Sequence, residues 1–288
     1  MSVIDHVLLT RFNLPSAGVE SLIRAREGWL RDRIALFERY TVPSVAAQTN
    51  SAVRWIVYLD PESPDWLLER IRPHADSGLL RPILRATVSR EELLADLRDT
   101  LGTPGEILLT SNLDNDDGLA VDYSERLVSV ATTLPRAALY LTHGIVQGGG
   151  AAYLNTDRRN AFVAVRESWA SPMTVWSEYH TALGQHMPVV EVGGPPGWLQ
   201  VVHGANVSNR IRGRVVAPSS YRELFAVDLD ATAPSRGAML TDRLLGHPAR
   251  RLRDGTRGTL RTQGLRLLGK ERYDRLKYAL ARTARRTA

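Results

Sequence analysis

Three carboxylates lie within four residues, directly after an apolar stretch of the chain. Asp114, Asp116 and Asp117 follow residues 106–110 (EILLT), a pattern that indicates a buried strand. Like charges at this spacing repel, so each carboxylate disfavours the ionisation of the others unless solvent or a cation neutralises them. Mg²⁺ and Mn²⁺ prefer oxygen ligands and often share their coordination shell with substrate phosphates. Two interpretations are open: a metal–phosphate site, and an acidic turn that caps the following helix.

Polar residues also follow two other predicted strands. The patterns of residues 6–12 and 54–60 are typical of strands, and Arg11, Asn13 and Asp60 lie at their ends. Strands and helices alternate at short spacing through the first 140 residues, which indicates a parallel sheet of βαβ units. In such sheets ligands bind beyond the carboxyl ends of the strands. We therefore expect these side chains to meet the acidic run at one edge, although loop solvation or turn formation explains each one equally well when taken singly.

A histidine follows the last predicted strand, and an arginine-rich helix follows the first. His203 comes directly after residues 198–202, and its imidazole suits either a metal such as Mn²⁺ or a structural hydrogen bond. The pattern of residues 20–40 predicts a helix that breaks near Pro43. We expect its arginines, Arg33 among them, on a solvated face from which one can meet a diphosphate.

The second half of the chain has a less regular pattern. It predicts an antiparallel meander with strands at 138–142, 145–146, 151–154 and 162–165. A helix is predicted over residues 175–185.

The composition limits the class of protein. The chain has 288 residues, 43% of them hydrophobic, and no cysteine, which excludes disulfides and thiolate metal sites. We find no pattern of a signal peptide and no apolar run of the roughly 20 residues that a membrane span needs, so we expect a cytoplasmic protein. Residues 248–288 carry 13 Lys and Arg against 3 Asp and Glu, although the whole chain has a net charge of only +6. The rest of the chain is therefore acidic, which argues against a nucleic-acid-binding surface.

Two well-known ligand-binding loop motifs do not match the sequence. An EF-hand frame that begins at Asp114 places Leu119 at position 6, where the turn needs glycine, and a strand precedes it in place of a helix. The chain also has no P-loop.

Several segments together resemble the bacterial putative rhamnosyltransferase family, from about residue 5 to residue 210. The segments that carry the resemblance are residues 6–13 (HVLLTRFN), 33–37, Pro43-Ser44 with Gln48, 55–60 and 113–118 (LDNDDG). Members of that family are similar to glycosyltransferases of the GT-A fold. The chain departs from the expected pattern at Asn112, where we would expect an arginine.

The resemblance implies a nucleotide-sugar donor, such as a UDP-, dTDP- or GDP-sugar, with a divalent Mn²⁺ or Mg²⁺ on its diphosphate. Asp114 and Asp116 match the Asp-x-Asp metal motif, and His203 matches a C-terminal histidine that contacts the metal or the diphosphate. The predicted donor-binding residues are Thr10, Arg11, Phe12, Asn13, Asp60, Asn112, Asp114 and Asn115. An inverting transfer also needs a base for the acceptor hydroxyl. Asp117 and Glu178 are the candidates for this role, with His180 as a third.

We thus predict an α/β fold with a GT-A-like single domain over residues 1–247. It would contain a mostly parallel central sheet with flanking helices, and antiparallel elements in its C-terminal half. Residues 1–140 are assigned to nucleotide binding and 141–247 to a glycan, lipid-linked or small-molecule acceptor. Residues 248–288 are predicted to form a basic helical tail, and two interpretations of it are open: a membrane-surface helix, which would place the protein on the inner face of the cytoplasmic membrane, and a solvated tail.

Two other functions are weighed against a metal-dependent glycosyltransferase. One is a metal-dependent nucleotidyl or phosphoryl transferase that acts on sugar nucleotides, although the chain has no glycine-rich phosphate loop near its N-terminus. The other is a non-catalytic, basic-tailed protein that binds a membrane surface, in which the acidic cluster would have no purpose.

Overall fold

The computed structural model describes residues 3–15, 28–203 and 210–253. The strands are β1 (Ile4–Arg11), β2 (Arg54–Leu59), β3 (Arg81–Leu84), β4 (Ile107–Asn112), β5 (Gly118–Leu119), β6 (Arg136–Leu141), β7 (His143–Gly148), β8 (Ala151–Thr156), β9 (Ala164–Ser168), β10 (Val189–Val192), β11 (Trp198–Val202) and β12 (Arg214–Val216). The α-helices are α1 (Trp29–Leu36), α2 (Val42–Ala46), α3 (Asp65–Asp76), α4 (Arg90–Leu101), α5 (Tyr123–Val128) and α6 (Arg236–Thr241). The π-helical turns are Phe37–Thr41 and Asp242–Gly246, and the 3₁₀ turns are Leu183–Gln185, Pro218–Ser220 and Arg222–Leu224.

Seven strands form a large sheet in the order β10-β6-β9-β4-β1-β2-β3. The four strands β3, β2, β1 and β4 are parallel, as predicted, whereas β9 runs antiparallel to both of its neighbours. Consecutive residues of β1 enter different hydrophobic clusters, Leu8 on one face of the sheet and Leu9 on the other. Both faces are therefore covered, which is the usual reason for continuous apolar strands in a parallel sheet. This confirms an α/β fold with mixed sheets.

Five strands form a smaller sheet in the order β12-β8-β7-β11-β5. β7 and β8 pair antiparallel across a turn at Gly149 and Gly150, whose positive φ values of 59° and 73° favour glycine. The predicted single meander over 138–165 is wrong, because β6 and β9 belong to the large sheet. Local alternation predicts that a strand forms, but its partner depends on distant residues. The large sheet also contains strands from before and after residue 140, so the division of the chain into two halves at this residue stays a prediction.

The helix before β2 continues further than predicted. The π-helical turn Phe37–Thr41 joins α1 to α2, and Pro43 lies in the first turn of α2, where a missing N–H is tolerated. The beginning of the predicted helix, up to residue 27, lies outside the described residues, as does the predicted basic tail from residue 254 onwards.

The predicted helix over 175–185 is wrong. This segment forms turns, with a 3₁₀ turn only at Leu183–Gln185. Distant groups capture the backbone where that helix would begin, since Val175 N–H donates to Thr110 Oγ1 at 2.9 Å. In contrast, Ser89 and Glu92 form a capping box at the start of α4, as their residue types and their spacing of three residues predict. Among the described helices, none combines the length and the apolar character that a membrane crossing requires.

Candidate functional site

The acidic run forms a loop between β4 and β5. Leu113 N–H donates to Leu9 O at 3.0 Å, and Thr10 Oγ1 donates to Leu113 O at 2.8 Å, so the loop is fastened to the end of β1. On its other side, β5 pairs antiparallel with the start of β11. The loop thus lies between the carboxyl end of the parallel strands and the smaller sheet.

Asp116 lies at the centre of a buried charge array. Its carboxylate forms an ion pair with Arg33 Nη1 from α1, and its Oδ2 lies 2.9 Å from His203 Nε2. The Arg33 side chain is buried, which corrects the expectation of a solvated position. Burial acts to raise the pKa of Asp116, but the hydrogen bond from His203 and the positive charge of Arg33 outweigh it and lower the pKa below its usual range. Asp116 is therefore ionised, and its carboxylate is held by Arg33 and His203.

Asp117 has the opposite electrostatic environment. Its side chain is completely buried, and burial together with the charges of Asp116 and Asp114 raises its pKa well above the usual range. Val201 N–H donates to Oδ1 at 2.8 Å, whereas Oδ2 has no hydrogen-bond partner among the described residues. Asp117 thus fastens the acidic loop to β11, the strand that leads to His203.

Asp114 is the carboxylate of the run that solvent reaches. The surrounding protein still limits its hydration, and with the charge of Asp116 this raises the pKa of Asp114 to about 6. Asn112 Nδ2 lies within 3.3 Å of Asp114 Oδ1. Asp114 is therefore placed to contact a ligand that enters from solvent.

The ends of β1 and β4 meet an aromatic side chain that the sequence reasoning missed. The Arg11 guanidinium lies 4.1 Å from the centre of the Trp176 ring, and Trp176 Nε1 donates to Asn112 Oδ1 at 2.8 Å. Trp176 lies in the segment that was predicted to be a helix. A stacking surface of this kind suits a planar base or a sugar ring.

The ends of β1 and β2 are also joined. Asp60 N–H donates to Asn13 Oδ1 at 3.0 Å, and Asn13 Nδ2 donates to Ser63 Oγ at 3.0 Å. The Asp60 carboxylate accepts a hydrogen bond from Glu62 N–H at 2.9 Å, which is the turn-forming role weighed above. The predicted meeting of polar groups at one sheet edge is thus present.

Three of the predicted donor-binding residues have buried side chains. Phe12 packs edge-on against Phe37 at 5.2 Å, and Thr10 Oγ1 accepts a hydrogen bond from Trp55 Nε1 at 2.9 Å. Asn115 Nδ2 donates to Phe12 O, and its Oδ1 accepts from Arg33. These buried side chains therefore hold the acidic loop in place.

Glu178 stands apart from the acidic loop in its contacts. It is partly exposed, two residues after Trp176, and its Oε1 lies 3.7 Å from His186 Nε2. The other candidate base, His180, accepts a hydrogen bond from Tyr140 Oη at its backbone carbonyl.

The side chains of the site fulfil only part of what a metal ion needs as ligands. No three His, Asp or Glu side chains within the described ranges form a group that can hold a metal. Asp114 and Asp116 nevertheless supply carboxylate oxygens, and Mg²⁺ in particular is commonly held by one or two carboxylates together with substrate phosphates. The residues therefore suit an ion that arrives with a phosphorylated ligand.

A sequence signal for the buried Arg33 was available. Trp29, Arg33 and Phe37 are spaced four residues apart, so they share one face of a helix, and Trp29 and Phe37 are apolar. An arginine within an apolar stripe implies a buried partner, because an unpaired buried charge is costly.

Comparison with known proteins gives one family match. The family model described as "Putative rhamnosyl transferase" matches residues 5–215. No curated protein matches the chain.

Several solved structures match part of the chain at low identity. S. aureus TarS in complex with UDP is 10% identical, with a TM-score of 0.41 over 69% of this chain and 60% of that one. The mannosyltransferase PcManGT from Pyrobaculum calidifontis in complex with GDP-Man and Mn²⁺ is 14% identical, with a TM-score of 0.38 over 68% and 56%. The inositol-1-phosphate CTP transferase from T. maritima is 9% identical, with a TM-score of 0.37 over 72% and 94%. The chain thus spans less than two thirds of the length of the first two.

Proposed function

The chain belongs to the putative rhamnosyl transferase family, and on this premise we propose that it transfers a sugar, with rhamnose as the first candidate, from a nucleotide-sugar donor to an acceptor hydroxyl. The observation that carries the proposal is the buried array of Arg33, Asp116 and His203 beside the accessible Asp114. It lies where ligands bind in open α/β sheets.

The charges of the array match the needs of glycosyl transfer. The reaction places negative charge on the leaving diphosphate and positive charge on the anomeric carbon. Arg33 provides a preorganised positive group, buried beside Asp116, where such a group stabilises developing charge most effectively. In the absence of a donor, the contacts of Arg33 and His203 with Asp116 keep the acidic loop in place.

We assign a divalent ion, Mn²⁺ or Mg²⁺, to Asp114 and Asp116, with His203 beside it. When bound, such an ion would stabilise the leaving diphosphate as a Lewis acid. Because two carboxylates do not complete its shell, we expect phosphate oxygens of the donor to complete it. Metal and nucleotide should therefore bind cooperatively.

The nucleoside is assigned to the surface formed by Arg11, Trp176 and Asn112. Trp176 offers a face for stacking, and Asn112 connects that ring to Asp114 through its amide group. Asn13 and Asp60, at the neighbouring strand ends, are assigned to the sugar or the base. The UDP-, dTDP- and GDP-sugars are the candidate donors.

Two of the three candidate bases, Asp117 and Glu178, receive different roles. A base has to reach the acceptor hydroxyl, and the completely buried Asp117 offers no surface for that contact. We therefore assign Asp117 to positioning the loop against β11. Glu178 is kept as the candidate base, because its carboxylate is accessible and follows Trp176 closely in the chain.

Calorimetric titration of UDP-, dTDP- and GDP-sugars with and without Mn²⁺ tests the proposal. We expect one nucleotide class and Mn²⁺ to raise each other's affinity by about tenfold or more. Asp116→Asn should abolish this coupling, whereas Asp99→Asn, at an exposed aspartate of α4, should preserve it. Nucleotide binding that is indifferent to both Mn²⁺ and Asp116→Asn would refute the metal assignment, and no binding of any sugar nucleotide would refute the donor class.

A further inference from the structure

The C-terminal helical segment, residues 236–253, is fastened to the smaller sheet by its inner face. It consists of α6, the π-helical turn Asp242–Gly246 and a helical stretch over 247–253. The buried Asp242 accepts a hydrogen bond from Val215 N–H of β12 at 2.8 Å and forms an ion pair with Arg250. Arg250 in turn donates to Gly213 O at 3.0 Å and stacks over the Tyr153 ring at 5.0 Å. These contacts fix which face of the segment points outward.

The outward face combines leucine with arginine. Leu240, Leu244, Leu245 and Leu252 are 57%, 64%, 68% and 72% exposed. Four of the seven large hydrophobic side chains that stand out as exposed in the described residues thus lie in this one segment, and clustered exposed apolar side chains mark an interaction surface.

The exposed charges of the segment have one sign. Arg236, Arg243, Arg251 and Arg253 are also exposed. The sequence of this segment contains a single acidic residue, Asp242, and its carboxylate is buried on the inner face. No carboxylate of the segment therefore offsets the outward positive charge.

We propose that the outward face of residues 236–253 docks on the anionic surface of a lipid bilayer. Leucines would enter the boundary between headgroups and acyl chains, and the arginines, whose long side chains keep their charge in the polar layer, would contact anionic headgroups. The charge complementarity favours an anionic bilayer over a zwitterionic one. The inference does not depend on the proposed transfer reaction.

The test uses the full chain in co-sedimentation with phosphatidylcholine vesicles that contain either no phosphatidylglycerol or about 30% of it. Wild type should bind the anionic vesicles and bind the neutral ones much more weakly. The triple change Leu240→Ser, Leu244→Ser and Leu245→Ser should lower binding to anionic vesicles by about tenfold or more, without changing the charge. Leu84→Ser, at a leucine of β3 that is 50% exposed, is the matched control and should bind like wild type.

If the chain itself or a second copy covered this face, the experiment would give different results. If the triple variant bound anionic vesicles like wild type, the face would not be the docking surface and the proposal would be refuted. A lower melting temperature of the triple variant with unchanged vesicle binding would show that the chain covers the face itself. Wild-type self-association that the triple variant loses, with no vesicle binding by either protein, would assign the face to a second copy. Both of these last outcomes would also overturn the proposal.

Discussion

Glu167 and the acidic loop both bury negative charge near the large sheet, but only Glu167 has its hydrogen bonds complete. The Glu167 carboxylate is fully buried and accepts from Arg136 Nε at 2.7 Å and from the N–H groups of Met173 and Thr174 at 2.8 Å. The acidic loop places Asp116 against Arg33 and leaves Asp117 Oδ2 without a partner among the described residues. A buried polar group that lacks a partner costs free energy, so it needs a reason to persist. The two regions therefore differ in how completely their buried carboxylates are hydrogen-bonded.

The two regions are also connected. Glu167 holds the N–H of Thr174, a non-glycine residue with a φ of 70°, and this turn leads to Trp176 at the site. Such a backbone conformation persists only where surrounding contacts determine it. Glu167 therefore acts as a structural carboxylate that positions the turn leading to Trp176.

The largest expected effect is a difference in stability between two isosteric amide substitutions. Glu167→Gln puts an amide NH₂ among three donors that now point at carboxylate oxygens, and we expect it to lower the free energy of unfolding by about 3 kcal/mol. Asp117→Asn removes a carboxyl whose ionisation burial already disfavours, so its effect should stay within about 1 kcal/mol and can be stabilising. Urea unfolding at pH 7 measures both variants. Equal losses would show that the two regions do not differ in the way described.

A smaller effect, on donor binding, is expected when Trp176 is replaced. Trp176→Leu removes the ring between Arg11 and Asn112, and we expect a loss of about tenfold in sugar-nucleotide affinity by calorimetry. Trp169→Leu is the matched control, because Trp169 also donates its indole N–H to a side-chain oxygen, Asp5 Oδ2, and also lies under an arginine, Arg98. Asp5 lies near the start of β1, away from its carboxyl end. If both variants lost affinity equally, Trp176 would have no specific role in binding the donor.

A third effect concerns a buried histidine and the pH dependence of stability. His6 lies between Ser124 Oγ at 2.6 Å and Ser111 Oγ at 2.8 Å, and burial lowers its pKa to about 3. The unfolded chain binds this proton below a pKa of about 6.5, so stability is complete above that pH and is lost as the pH falls towards 3. Lowering the pH from 7.5 to 5.5 should cost about 1.4 kcal/mol of unfolding free energy through His6.

The control for this pH dependence is His6→Asn. We expect this variant to be less stable at pH 7.5 but to lose less stability on acidification. A pH dependence identical to that of wild type would assign the effect to other histidines.

Much of the structure of the first 140 residues was predictable because the signals there are local. The apolar runs of β1, β2 and β4 and the capping box of α4 depend on neighbours within a few residues, and each was predicted from the sequence. The joining of Asn13 to Asp60 and the fastening of the acidic loop to the end of β1 followed from the rule that parallel strands end at one edge.

The candidate residues could be selected from the sequence alone: an acidic run after an apolar strand, polar strand ends and a histidine after β11. The tertiary structure then determined how these residues are paired. It placed β9 between β4 and β6, turned Arg33 inward to Asp116, and folded residues 173–180 into turns that bring Trp176 to Asn112. The physical reason is the distance along the chain over which each interaction acts. Periodicity and capping act between near neighbours in the chain, whereas the ion pair of Arg33 and the hydrogen bonds of Glu167 and Trp176 depend on groups that only folding brings together.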